Sequence, residues 1–193
     1  MQLSLSSSSH PWRSDYCAPS GLVLYKAESP HSSLSGGITV SISKLMPNNT
    51  YSPLAEIEYH SSSGSFKDSR IRMGNVNLLA KEVLRKGDLK GKLKGWGERL
   101  YTGPDGIEYS WKMTPDNCEL IQRQTKMPIV TFHPKEEHLF STKKIRPAFL
   151  EVLPQGQHML DDIIITFVYM ERIRSEKTTT AAVADTVGAI AGA

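Results

Sequence analysis

The stretch "MLDDIIITFVYMERIRSEK", residues 159–177, decides how the rest of the chain is read. From Ile163 to Met170, eight almost unbroken apolar residues stand between an Asp-Asp pair and a mixed-charge end. Three structures compete for it: a membrane span, a buried strand and a buried helix. A spanning helix needs about 20 predominantly apolar residues. Here Asp161, Asp162, Glu171 and Arg172 close the run on both sides, so spanning is excluded on length. Ile163, Ile164, Ile165, Thr166 and Val168 are β-branched, which favours a strand. The flanks favour a helix. Asp161 and Asp162 suit its first turn, where carboxylates meet orphan N–H groups and the positive dipole end. Arg172, Arg174 and Lys177 suit its last turns. A helix apolar on every side must be buried on every side. Ile163, Ile164, Ile165, Phe167, Val168 and Met170 are therefore expected to be its core residues.

The material to bury it is β. "GITVSISKL" sets Ile38, Val40 and Ile42 against Thr39, Ser41 and Ser43. "LAEIEYH" and "GIEYSWKM" alternate in the same way, with Ile57 and Tyr59, and with Tyr109, Trp111 and Met113, on one face. Such alternation marks strands with one wet and one dry face. "QLSLS", "GLVLYKA", "CELIQRQ", "PIVTFHP" and "PAFLEVLP" are further candidates. "RLYTGPDGIEYSW" reads as a hairpin: Pro104 presets φ, Asp105 follows, and Gly106 can take positive φ. "NVNLLAKEVLRKG" carries a weak helical pattern, with strand as the competing reading.

At 193 residues the chain fits one domain with loose ends. The Ser/Pro-containing segment 1–19 adds at most a strand, residues 20–176 form the domain with its helix over about 160–175, and the Ala/Gly/Thr-rich segment 177–193 reads as a flexible tail. Two cysteines, Cys17 and Cys118, build no disulfide framework. The opening residues lack the basic and apolar regions of a secretory signal. The expected compartment is cytoplasm or nucleus, with peripheral membrane association left open, and Asn48-Asn49-Thr50 reads as a turn rather than a glycosylation site.

Charge is uneven. From Lys67 to Arg99 there are ten Lys/Arg and four Asp/Glu, a net of +6. The candidate anion- or lipid-binding residues are Arg85, Lys86, Lys90, Lys92 and Lys94, the last three on one face if the chain is extended there. A solvated loop or a charged edge strand is the competing reading. Trp96 is the one aromatic nearby, so the stacking platform of a nucleic-acid binder is not evident. "GDLKGKL" is one residue short of a phosphate loop and lacks its hydroxyl. "HPKEEH" spaces His133 and His138 wrongly for a zinc helix. Adjacent Asp161 and Asp162 suit a cap better than an acid–base pair, and no base stands beside Cys118 in sequence. No catalytic motif, cofactor motif or metal set emerges.

The segments "RLYTGPDGIEYSWKM", "PIVTFH" and "RPAFLEVLPQGQHMLDDIIITFVYMERIR" resemble, in order and spacing, a family of uncharacterised small proteins abundant in mushroom-forming fungi. That family is similar to the tubby C-terminal and LURP-one superfamily. The resemblance implies a closed antiparallel β-barrel around a buried C-terminal helix. It supplies no activity. Tubby proteins bind phosphoinositide head groups through basic surface residues, but no residue of that motif maps onto this sequence. The expectation is thus a mainly β, non-enzymatic binding or scaffold domain that contacts anionic lipid head groups or protein partners. The alternative is a small-ligand carrier or enzyme with a pocket at a barrel mouth.

Overall fold

The structure, a computed structural model, describes residues 1–29, 37–60, 68–87, 96–135 and 146–191, with side chains as far as 180. The strands are β1 (Gln2–Leu5), β2 (Ser14–Cys17), β3 (Val23–Glu28), β4 (Gly37–Leu45), β5 (Tyr51–His60), β6 (Arg70–Met73) and β7 (Val76–Leu79). A one-turn helix, α1 (Ala80–Val83), leads to β8 (Arg85–Lys86), β9 (Glu98–Thr102), β10 (Glu108–Met113), β11 (Cys118–Gln122), β12 (Pro128–His133) and β13 (Phe149–Val152). The long helix α2 (Leu160–Ala191) follows a 3-10 turn over Pro154–Met159.

All strands belong to one antiparallel sheet in the order β7-β6-β5-β4-β3-β2-β1-β13-β12-β11-β10-β9-β8. Two meanders, β1–β7 and β8–β13, are joined where β1 pairs with β13, Leu3 opposite Leu150. The Met1 ammonium seals that joint by donating to the Val152 carbonyl at 2.7 Å. Local chemistry sets the turns. Gly106 closes the β9–β10 hairpin with φ of 75°, its N–H donating to the Gly103 carbonyl. Between β4 and β5, the Asn48 side chain accepts from the Thr50 N–H, and Asn49 takes a φ of 61°. The ambiguous segment 75–87 resolves into both of its readings, strand then helical turn then strand.

The sheet curls around α2. Side chains reach the helix from β2 (Tyr16), β5 (Tyr59), β10 (Trp111) and β12 (Phe132). Ile163, Ile164, Ile165, Phe167, Val168 and Met170 are all buried. Each such side chain contributes roughly 1.5–3 kcal/mol by leaving water. Two polar groups that come inward with them are satisfied: the Trp111 Nε1 donates to Thr166 Oγ1 at 3.0 Å, and the Thr166 hydroxyl donates to the Asp162 carbonyl at 2.7 Å.

The expected closed barrel is not formed. β7 and β8 end the sheet as two edges that share no ladder. The reason lies between them. Residues 80–83 turn helically, so the chain crosses from one edge to the other with its backbone bonds spent elsewhere: Ala80 N–H donates to Ser69, and Leu84 N–H to Ala80. β8 has only two residues with which to pair. Ala80 and Leu84 are buried and anchor the turn in the gap. An edge covered in this way is protected from pairing with another chain.

The backbone of α2 stays helical to Ala191, past the span of about 160–175 and through most of the segment read as a tail. Thr178, Thr179 and Thr180 each donate to the carbonyl four residues back, so their hydroxyls are satisfied within the helix. Among the described residues no helix is long and apolar enough to cross a membrane.

Gly156 tests the packing at the start of α2. A Cβ there would come 2.6 Å from Ile129 Cγ2, 3.2 Å from Ile163 Cδ1 and 3.3 Å from Val152 Cγ1. Gly156→Ala is expected to lose about 1–3 kcal/mol through overpacking. Urea midpoints compare the two proteins; equal midpoints would contradict this packing.

Candidate functional site

Of the basic residues singled out from sequence, the structure describes Arg85 and Lys86, and it sets these two apart. Adjacent residues of a strand point to opposite faces, and β8 separates Arg85 from Lys86 in this way. Arg85 donates to Glu108 at 2.9 Å, and Glu108 also pairs with Arg123. The Arg123 guanidinium, first, and Arg85 hold the exposed Glu108 carboxyl below its ordinary range. Arg85 is thus committed to an ion-pair cluster. Lys90, Lys92 and Lys94 lie outside the described residues.

Lys86 finds different company. It stands directly opposite Arg99 in the β8–β9 ladder. Like charges in that position destabilise a sheet. Lys177, a half-buried residue of α2, joins them: burial, then Arg99, then Lys86 push its ammonium below the ordinary lysine value. Arg99 donates to the Glu98 carbonyl at 3.1 Å. Neither Lys86 nor Arg99 has a carboxylate partner among the described residues. Three cations from two strands and a helix therefore stand close enough to act on one another. Sequence singled out Lys86 but missed Arg99 and Lys177, because their meeting depends on ladder register and on where α2 emerges.

The opposite end of α2 is acidic and aromatic. Asp161 accepts from the Tyr25 hydroxyl at 2.5 Å and from the Lys44 ammonium at 2.7 Å. In the β9–β10 turn, Asp105 accepts from Tyr109 at 2.7 Å and lies 3.0 Å from His158 Nε2. Burial alone would raise Asp105; the hydrogen bonds from Tyr109, Ile107 and His158 outweigh it and hold the carboxyl low. A cleft of about 540 Å³ runs over this end, walled by Leu24, Lys44, Leu45, Pro104 and Gln157. Within it, Lys44 and Asp161 neutralise each other.

Asp162 is different. Burial raises its carboxyl above the usual range, the Tyr101 hydroxyl pulls it back, and neighbouring Asp161 raises it further. It lines both that cleft and a second, of about 300 Å³, at the seam where the sheet stays open. No cation pairs with it among the described residues.

The remaining candidates are structural. His133 bonds Glu151 at 3.0 Å and stacks on Phe149, while His138 lies outside the described residues. Cys118 is buried, and burial pushes its thiol well up, which makes it a poor nucleophile. Trp111 and Tyr109 face the core.

No curated protein and no solved structure matches the chain. One family does, over residues 9–176, which takes in the sheet from β2 onward and the buried part of α2. On that coverage the chain belongs to DUF6593, a family of unknown function.

Proposed function

We propose that this domain is a non-enzymatic binding module that docks on anionic lipid head groups through Lys86, Arg99 and Lys177. One observation carries the reading: Lys86 and Arg99 are held opposite each other in a ladder, a like-charge arrangement that an anion between them would relieve. Phosphate suits such a site, since Arg offers a planar donor fork and Lys a compact point charge. A fungal source and peripheral membrane association belong to the same reading. The rest of the sheet and helix serves as a rigid frame.

Vesicle co-sedimentation tests it. At low salt the full chain is expected to enrich on vesicles containing phosphatidylinositol phosphates and to be released as salt rises. Basic residues near an anionic surface contribute about 1 kcal/mol each. Lys86→Ala/Arg99→Ala should therefore weaken binding about thirtyfold. Failure of the wild type to enrich, or equal binding by the variant, sinks the proposal. Lys81, exposed on α1, supplies the control, and Lys81→Ala should bind as wild type.

A further inference from the structure

The open seam leaves a cleft of about 300 Å³ between β7, α1, β9 and α2. That volume lies at the lower end of small-molecule sites. Met73, Leu78, Val83 and Ile165 supply apolar wall, and Asp162 supplies a carboxylate. Tyr101 lines the cleft beside that carboxylate, and its hydroxyl offsets part of the effect of burial on it. The neighbouring cations are already engaged: Lys44 with Asp161 and Arg85 with Glu108. The other rim carboxylate, Glu82, accepts from the Leu79 N–H at 2.9 Å. What remains is an apolar wedge with one part-buried anion lacking a cation among the described residues.

We infer that the seam cleft binds a small amphipathic amine, its ammonium on Asp162 and its hydrocarbon between Met73, Leu78, Val83 and Ile165. A buried carboxylate without a counter-charge is costly, and a bound ammonium offsets that cost while its chain leaves water. A fatty acid would set carboxylate against carboxylate, and a plain alcohol would leave Asp162 uncompensated. The site uses none of Lys86, Arg99 and Lys177, and it stands or falls separately from lipid docking. It also assigns Asp162 a role beyond helix capping.

The probes are hexylamine, hexanol and hexanoate, titrated into the full chain and followed by NMR of the Met73 methyl and the Ile165 δ-methyl. Hexylamine is expected to shift both methyls and to bind at least tenfold more tightly than hexanol, with hexanoate weakest. Asp162→Asn keeps the size and removes the charge; it should bring hexylamine down to the hexanol level. Leu78→Ser should weaken hexylamine severalfold and leave methylamine unchanged. Equal binding of hexylamine and hexanol by the wild type overturns the inference without recourse to any variant. So does an unaltered hexylamine affinity in Asp162→Asn, or methyl shifts confined to residues away from the seam.

Discussion

Phe167→Asp is expected to abolish the cooperative thermal transition. The Phe167 ring lies 5.1 Å from that of Phe132, 6.1 Å from Trp111 and 6.4 Å from Tyr16, with the residue fully buried. These partners come from three strands on different parts of the sheet, so Phe167 ties both meanders to the helix. Truncating a buried Phe to Ala typically costs about 3–5 kcal/mol. Asp adds the burial of a carboxylate that nothing at this place can pair. The sum approaches the whole stability of a domain, about 5–15 kcal/mol. Ile165→Asp should fail similarly. Circular dichroism during heating checks both. A soluble Phe167→Asp protein that still melts cooperatively would contradict a helix enclosed by the sheet.

Arg174→Met should destabilise the protein by about 3–5 kcal/mol at pH 7, because it strands a buried carboxylate. The Glu171 side chain is 1% exposed. Arg174 grips both its oxygens, at 2.8 and 2.9 Å, and donates its third nitrogen to the Pro115 carbonyl at 2.6 Å. Burial raises the Glu171 carboxyl above its ordinary value of 4.5, and Arg174 pulls it partway back. The folded state therefore favours the protonated form. That contribution is fully present below pH 4.5 and is lost as pH rises through the higher folded value. Without Arg174 the folded value climbs further. The stability gap between Arg174→Met and wild type should consequently narrow as pH falls from 7 toward 5. Glu171→Gln/Arg174→Met should recover most of the loss at pH 7. Urea unfolding at the two pH values measures this, and a gap of constant size would rule out Glu171 as its origin.

Charge is divided along α2. Carboxylates gather at its start, and cations gather where it leaves the sheet. The carboxylates suit the helix dipole at its start, whereas the cations lie beside its middle turns, short of its end at Ala191. The basic residues beyond those needed for pairing, Lys86 and Arg99, are the ones assigned to lipid docking. The carboxylate beyond those needed for pairing, Asp162, is the one assigned to amine binding.

Much of this architecture is legible in the chain itself. Period-two alternation places β4, β5 and β10, because each has one face against α2 and one toward water. Pro104, Asp105 and Gly106 specify their hairpin through backbone geometry alone. The apolar run from Ile163 to Met170 announces a segment buried on all sides, and the Asp pair announces its start. These are local properties, carried by residues close in sequence. What the sequence could not decide depends on distant partners. Whether the sheet closes turns on a single helical turn, residues 80–83, whose pattern suits helix and strand about equally. Which lysine joins which arginine turns on a two-residue ladder, β8 with β9. Whether Asp162 is a cap or the floor of a cleft turns on the gap that α1 leaves open. Side-chain period is a property of one strand or helix, whereas closure, charge convergence and cavities arise only when elements far apart in the chain are packed together.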